Sequence, residues 1–222
     1  MLKTAIVIPI KTNNQRLPGK NTKNLNGRPL YDYLFNTIKK CKKVDNIYID
    51  SSSDEILSIA DSYDFETIKR PESLNTPETS GNDLLNFELQ HIKNDIICQV
   101  FVTLPFIEHT TIDKCISELS ENSKANSILP LYEVYDRFWY EKDDLIVPAN
   151  HNPDSLVGTQ YMKPILRECG FYVFKKKSFL KEQKRVTKQH KVLTFEESQF
   201  IDIDTELDFV YAEAVAKWKL ER

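Results

Sequence analysis

Two short segments near opposite ends of this chain carry the residues best suited to chemistry. The first, residues 11–21, places the cations Lys11, Arg16 and Lys20 around a Pro-Gly turn and ends at Asn21. Backbone N–H groups and fixed cations in a loop between a strand and a helix can converge on phosphate oxygens. The segment therefore predicts a site for a nucleotide triphosphate, although an ordinary connection with solvated lysines has the same spacing.

The second segment is the carboxylate-rich run FIDIDTELDF, residues 200–209. On a strand, Asp202 and Asp204 point to the same face, two residues apart. A hard dication with oxygen ligands relieves their repulsion, so the pair predicts a Mg²⁺ or Mn²⁺ site. The alternative is that both aspartates only cap the following helix, for which Thr205 is a natural N-cap. A cationic loop and a carboxylate pair together favour metal-assisted nucleotidyl transfer, with Lys20, Asp202 and Asp204 as catalytic residues.

The elements that must position these two segments alternate between strand and helix. Apolar strand-like runs at residues 5–10, 46–50 and 96–102 are separated by amphipathic helix patterns. Continuous apolar strands that alternate with helices predict a mainly parallel sheet covered by helices on both faces. The expected architecture is a three-layer, Rossmann-like α/β fold in a single domain over residues 1–222.

From residue 126 to about residue 165 the pattern changes to β-formers and aromatic residues, which predicts a small β-rich arm of paired antiparallel strands. Five aromatic residues fall within nine positions: Tyr132, Tyr135, Phe138, Trp139 and Tyr140. Such a density favours a homodimer contact over a local core.

The remainder of the chain predicts a strand followed by a basic turn at GFYVFKKKSFL and then a closing helix. The predicted apolar stripe of that helix is Leu207, Val210, Ala214 and Trp218.

Composition excludes several classes of protein. The net charge of -3 and the pI near 5.9 argue against nucleic-acid and membrane-surface partners. No apolar run reaches membrane-spanning length and the first strand is too short for a secretory segment, so a cytoplasmic location is expected. The cysteines are scattered, which predicts buried free thiols rather than zinc or disulfides. They are Cys41, Cys98, Cys115 and Cys169. The absence of a GxGxxG motif argues against a dinucleotide-dependent dehydrogenase.

Both chemistry-bearing segments resemble motifs of one family. KTNNQRLPGKN resembles the ARGGSKRLPGKN signature of the acylneuraminate cytidylyltransferases, and IDIDTELDF resembles their closing motif almost letter for letter. NGRPL, KRPESL and TQYMKPILRECG also resemble family segments, in the same order along the chain. The resemblance implies a nucleotide-diphospho-sugar transferase-like fold with CTP and Mg²⁺. It implies transfer of CMP to a sugar acid of the sialic, legionaminic or pseudaminic type, with release of pyrophosphate, for surface-glycan synthesis.

The resemblance also implies roles for residues that match the family motifs. In the first loop the implied contacts to CTP come from Lys11, Asn13, Arg16, Lys20 and Asn21, with Lys11 in place of an arginine. Arg70 and Ser80 are implied to line the nucleotide pocket, although Arg70 could equally be an ion-paired surface residue. Asp202 and Asp204 match the metal-binding pair.

On the acceptor side, Gln160 and Arg167 match motif positions, and Phe101 stands where the family has a glutamine. Because a site built for hydrogen bonds discriminates strongly, Phe101 predicts a changed acceptor.

Two other functions stay open at this point. The same fold and loop could serve a cytidylyltransferase acting on a non-sugar acceptor, such as a phosphonate or a polyol phosphate. The substitutions Lys11, Gln15 and Phe101 also suit a nucleotide-binding paralogue without catalysis, although the intact IDIDTELD run weighs against it because an unused buried carboxylate pair is costly.

Overall fold

The computed structural model describes residues 2–11 and 16–220. The strands are β1 (Thr4–Pro9), β2 (Asn24–Leu25), β3 (Arg28–Pro29), β4 (Asn46–Ser51), β5 (Glu66–Lys69), β6 (Ile96–Gln99), β7 (Ser127–Val134), β8 (Trp139–Lys142), β9 (Leu145–Pro148), β10 (Ile165–Glu168), β11 (Tyr172–Lys175) and β12 (His190–Phe195). The helices are α1 (Leu30–Ile38), α2 (Asp54–Ser62), α3 (Gly81–His91), α4 (His109–Glu121), α5 (Lys176–Glu182) and α6 (Glu206–Leu220). Short 3₁₀ turns span Glu72–Leu74, Thr159–Tyr161 and Glu197–Gln199.

The main sheet has eight strands within the described residues, and most of them are parallel. β6, β1, β4 and β5 lie side by side in this order and run in one direction. β11 pairs antiparallel with β6 and with the start of β7, and β10 pairs antiparallel with the end of β7. β12 is parallel to β7 on its other side. The predicted mainly parallel α/β sheet is confirmed.

Both faces of the sheet are covered, and β1 shows how. Its side chains alternate between two apolar cores: Ile6 and Ile8 pack into the larger one, and Ala5 and Val7 into the smaller one. The larger core includes residues of α1, α2, α4 and α6, and the smaller core includes residues of α3 and α5. A strand buried on both faces has no polar face, which explains its continuous apolar sequence.

The β-rich region is divided between the sheet and an arm. β7 belongs to the main sheet, so Tyr132 is a core residue stacked on Phe200 at 5.9 Å between ring centroids. Only β8 and β9 form a separate hairpin, and its apolar side chains are exposed. The predicted aromatic surface is therefore smaller than the sequence indicates, because Tyr132 does not belong to it.

Two predictions about helices are wrong. The expected basic turn after β11 is α5, which forms because Phe179 is buried and Lys176 Nζ donates to the carbonyl oxygens of Leu89 and Ile92. In α6 the expected apolar stripe faces outwards: Leu207, Val210, Ala214 and Trp218 are exposed. The buried face is Phe209, Ala212 and Ala216.

Contacts made before α1 set the rotation of α6. Lys23 Nζ lies 4.3 Å from the Phe209 ring centroid and binds Glu206, and Asn26 Nδ2 donates to Glu213 O at 2.8 Å. These contacts keep the buried face of α6, which is formed by Phe209, Ala212 and Ala216, packed in the larger core.

The thiols agree with the sequence prediction. Cys98, Cys115 and Cys169 are buried, Cys41 is half-buried, and all of them are free. Across residues 2–11 and 16–220, no helix combines the length and the apolar character needed to cross a bilayer.

Candidate functional site

A cavity of about 360 Å³ opens at the carboxyl ends of β1 and β6. Lys11, Lys20 and Asn21 line it from the loop after β1, and residues 101–103 line it from the segment after β6. Asp202 and Asp204 contribute from the segment before α6. In parallel α/β sheets, ligands bind in this position because the loops that follow neighbouring strands meet there.

The two segments singled out in the sequence are in direct contact. Lys20 Nζ donates to Asp204 Oδ1 at 2.8 Å and to Ile203 O at 3.0 Å, across 184 positions in the first case. Arg16 Nη2 lies 2.9 Å from the same carboxylate oxygen. Lys20 is almost fully buried, whereas Arg16 is largely exposed. A buried lysine and a largely exposed arginine therefore both contact Asp204, one carboxylate of the predicted metal-binding pair.

Hydrogen bonds connect the described residues of the loop after β1. Gly19 has a φ of +66°, a conformation that side-chain-bearing residues rarely adopt, and its carbonyl oxygen accepts from Thr22 N and Lys23 N. Asn21 Nδ2 donates to Lys11 O at 2.6 Å, which closes the loop. Asn21 thus has a structural role in addition to its place on the cavity wall.

The carboxylate pair lies in a segment without regular secondary structure, not on a strand as expected. Ile203 between them is fully buried, and its N–H donates to Thr103 O at 3.0 Å. Asp202 and Asp204, on either side of this buried residue, both line the cavity. Thr205 caps α6 as predicted, since Asp208 N donates to its hydroxyl and Asp208 Oδ2 accepts from Thr205 N.

The pair fits a dication that is shared with a substrate. Burial raises the pKa of Asp202 above its usual value, and the neighbouring Asp204 carboxylate raises it further. A cation between the two would remove this penalty. Among the described residues no group of three or more His, Cys, Asp or Glu could hold a metal ion. Two carboxylates leave coordination positions for phosphate oxygens and water, which is the usual arrangement for Mg²⁺.

Arg70 lies beneath the cavity and is not part of its lining. Its side chain is fully buried, with Nη2 at 2.7 Å and Nε at 2.9 Å from Asp50 Oδ2. It is therefore not a surface arginine, because it forms a buried ion pair with Asp50 at the end of β4, and it does not line this cavity as predicted for the nucleotide pocket. Its effect reaches the cavity through Lys11, whose pKa is lowered by burial and by the Arg70 charge.

A second buried carboxyl group accompanies this ion pair. Glu88 of α3 is fully buried, beside the Asp50 carboxylate. Burial raises the pKa of Glu88 well above its usual value, and the charge of the Asp50 carboxylate and a hydrogen bond with it raise it further. The charges of Arg70 and Arg185 oppose this rise without cancelling it.

The other predicted site residues occupy different places. Ser80 is exposed and caps α3 in a reciprocal pair with Asp83, outside the cavity lining. Gln160 is exposed and folds back against Gly158. Arg167 is exposed, but its charge lowers the pKa of Asp202. Phe101 lines the cavity. Asn13 lies outside the described residues.

Among the cavity residues that sequence reasoning missed, three have polar side chains: Thr103, Tyr172 and Arg185. Thr103 anchors Ile203, and Tyr172 comes from β11. Arg185 follows α5 in a run of basic residues, and nothing in that run distinguishes it from its exposed neighbours.

The fold is that of nucleotidyltransferases. CMP:2-keto-3-deoxy-manno-octonic acid synthetase, solved in complex with CTP, superimposes with a TM-score of 0.73 at 14% identity, covering 98% of this chain and 99% of that one. The 4-diphosphocytidyl-2C-methyl-D-erythritol synthase of Anaerococcus prevotii gives a TM-score of 0.69 at 16% identity, covering 100% and 97%.

The sequence belongs to the cytidylyltransferase family, whose profile matches residues 5–215. The 3-deoxy-manno-octulosonate cytidylyltransferase of Chloroherpeton thalassium is 27% identical over 79% of this chain and 75% of its own length. N-acylneuraminate cytidylyltransferase A of Danio rerio is 23% identical over 89% of this chain and 47% of its own length. The predicted family is confirmed at the level of cytidylyltransferases, and its acylneuraminate branch stays a prediction.

Proposed function

We propose that this protein transfers CMP from CTP to a hydroxyl group of a sugar acid and releases pyrophosphate. The observation that carries the proposal is the contact of Lys20 and Arg16 with Asp204, which brings triphosphate-binding cations to the paired carboxylates. Family membership and relatives named for octulosonate and acylneuraminate substrates support it.

The cations of the first loop would receive the triphosphate. Lys11 and Lys20 line the cavity, and Arg16 reaches Asp204 from its rim. A triphosphate carries more negative charge than one carboxylate, so Lys20 and Arg16 can exchange their contact with Asp204 for phosphate oxygens. Asp204 is then available to a dication.

Asp202 and Asp204 would hold Mg²⁺ or Mn²⁺, which supplies charge compensation on the transferred phosphate. Ile203 and Thr103 keep the two carboxylates turned towards the cavity. Lys20 is buried, and its hydrogen bond to the carbonyl oxygen of Ile203 keeps it at the cavity when Asp204 is released.

The acceptor oxygen forms a bond to the α-phosphorus as the bond to the bridging oxygen breaks, and pyrophosphate leaves. Of the described residues that line the cavity, none is a histidine. The proton of the acceptor hydroxyl therefore passes to a carboxylate of the cavity or to solvent.

The first experiment measures pyrophosphate release with CTP, UTP, ATP or GTP, with and without Mg²⁺. The acceptors are 3-deoxy-manno-octulosonate, N-acetylneuraminate, legionaminate and pseudaminate, with a phosphonate and a polyol phosphate as non-sugar alternatives. We expect release only with CTP, Mg²⁺ and a sugar acid. Turnover restricted to a non-sugar acceptor would contradict the proposal, and a protein that binds no CTP in a calorimeter would favour the paralogue without catalysis.

The variant Asp204→Asn tests the carboxylate pair. We expect Mg²⁺-dependent turnover to fall by at least about 100-fold, because the charge that receives the dication is lost. Far-ultraviolet circular dichroism should be unchanged. Glu206→Gln is the matched control, since Glu206 lies in the same segment and binds only Lys23 at the surface. Full activity of Asp204→Asn would remove this residue from the mechanism.

A further inference from the structure

Arg185 is a cavity residue that the proposed nucleotide site does not use. It lies half-buried in the cavity wall, in the loop between α5 and β12. It therefore enters from the face of the sheet that carries α3 and α5, whereas Asp202 and Asp204 precede α6 on the opposite face. The cavity therefore has a cation that does not come from the loop after β1.

Neutral groups hold this guanidinium in place. Arg185 Nη1 donates to Gln99 Oε1 at 3.2 Å, and Arg185 Cζ lies 4.4 Å from the centroid of the Tyr172 ring. None of the ion pairs among the described residues includes Arg185. The protein therefore orients this charge without a direct ion pair, and its electrostatic effect on a carboxyl group reaches the buried Glu88.

Gly81 provides the space for this arrangement. A Cβ atom at Gly81 would lie 2.6 Å from Arg185 Nη2 and 3.3 Å from Cζ. The guanidinium thus occupies the position that any side chain at the first residue of α3 would need. Gly81 has an ordinary negative φ, so its lack of a side chain serves packing and not backbone conformation.

We propose that Arg185 binds the carboxylate of the acceptor, a proposal that rests on the proposed transfer of CMP to a sugar acid. A guanidinium fork matches a carboxylate with two parallel hydrogen bonds, and an oriented fork loses little freedom on binding. The triphosphate is accounted for by Lys11, Lys20 and Arg16. Arg185, Asp202 and Asp204 line the same cavity, so an acid bound at Arg185 lies close to the carboxylate pair.

The test compares 3-deoxy-manno-octulosonate with its methyl ester. In Arg185→Gln we expect the KM for the acid to rise about 30-fold, which is the loss of a charge-assisted hydrogen-bond pair. The KM for CTP and the inhibition constant of the ester should change less than about 3-fold, since neither involves the lost contact. Arg185→Lys should recover part of the affinity for the acid. Lys184→Gln removes the adjacent exposed charge and should leave all constants unchanged.

A second variant displaces the Arg185 guanidinium without removing its charge. Gly81→Ala forces the guanidinium to move, at low cost to the fold because the clash is with the far end of a flexible side chain. We expect the KM for the acid to rise in this variant as well. The double variant should be no worse than Arg185→Gln alone, because both changes remove one interaction.

The outcomes separate this inference from the proposed function. If the unmodified protein releases pyrophosphate with the acid but Arg185→Gln leaves its KM unchanged, only the role of Arg185 is overturned. An equal loss of affinity for the acid and for the ester would mean that Arg185 binds hydroxyl groups. A rise confined to the KM for CTP would mean that Arg185 binds the nucleotide. Either result overturns the inference. If no acid supports turnover of the unmodified protein, the proposed function fails and the inference fails with it.

Discussion

Lys11 is a cavity-lining lysine in an unusual electrostatic environment. Burial and the nearby Arg70 charge lower its pKa from the ordinary 10.5, and Asp50 opposes this only in part. Lys11 therefore loses its charge at a lower pH than an exposed lysine does. An arginine at this position would keep its charge throughout the accessible range.

We expect the KM for CTP to increase towards alkaline pH, since neutral Lys11 no longer attracts the triphosphate. In Lys11→Arg this increase should move to higher pH. Measuring the KM for CTP between about pH 7 and pH 10.5 in both proteins tests the prediction. Lys23→Arg, which changes a lysine outside the cavity lining, should behave as the unmodified protein does. Identical profiles for all three proteins would show that another group titrates.

At the scale of single elements, α3 carries a destabilising group in its buried face. The pKa of Glu88 is raised in the folded protein above its ordinary value of 4.5, so the folded state holds a proton that the unfolded state releases. The free energy of unfolding must then decrease as the pH rises from the ordinary carboxyl pKa towards the raised one.

We expect Glu88→Gln to remove this decrease, because an amide of the same shape does not ionise. Urea denaturation at pH values from about 5 to 9 should show an advantage of the variant that grows with pH. Glu78→Gln, at an exposed position, controls for the loss of one surface charge. Parallel stability curves for Glu88→Gln and the unmodified protein would mean that Glu88 is not the linked group.

The rotation of α6 gives a second prediction at this scale. Phe209→Ala should lower the free energy of unfolding by about 3 kcal/mol, because it leaves a void against the larger core. Leu207→Ala, on the exposed face of the same helix, should change it by less than about 0.5 kcal/mol. Urea denaturation of the two variants measures the difference. A larger loss of stability in Leu207→Ala than in Phe209→Ala would instead support the apolar stripe predicted from the sequence.

At the scale of the whole molecule, the β8–β9 hairpin extends apolar side chains into solvent. Trp139 is 51% exposed, and Leu145 and Ile146 are each 65% exposed. Exposed apolar side chains at this density are typical of protein interfaces. We propose that the hairpin forms the contact of a homodimer.

Leu145→Glu combined with Ile146→Glu should convert that dimer to monomers, since it puts a charge on each face of the hairpin and a partner on either face would bury one without a counter-ion. Light scattering after size-exclusion chromatography measures the mass. Leu180→Glu, at an exposed apolar position on α5, should leave the mass unchanged. An unmodified protein that is monomeric at all concentrations would contradict the prediction.

The order and type of the main elements could be read from local patterns. β1, β4, α2, α4 and the Thr205 cap lie close to where apolar periodicity and capping residues predict them. These patterns are local because burial on a helix or strand repeats along a few residues. Two expectations failed where distant contacts decide: α5 depends on the carbonyls that end α3, and the buried face of α6 depends on Lys23 and Asn26.

Local patterns were enough to predict an α/β sheet, a cationic loop after the first strand and a carboxylate pair before the last helix. The contact of Lys20 with Asp204 across 184 positions, the burial of Arg70 against Asp50 and the entry of Arg185 into the cavity depend on the assembled fold. The composition of a segment limits its own backbone, but the charge, burial and neighbours of a side chain depend on elements that meet only when the sheet is assembled.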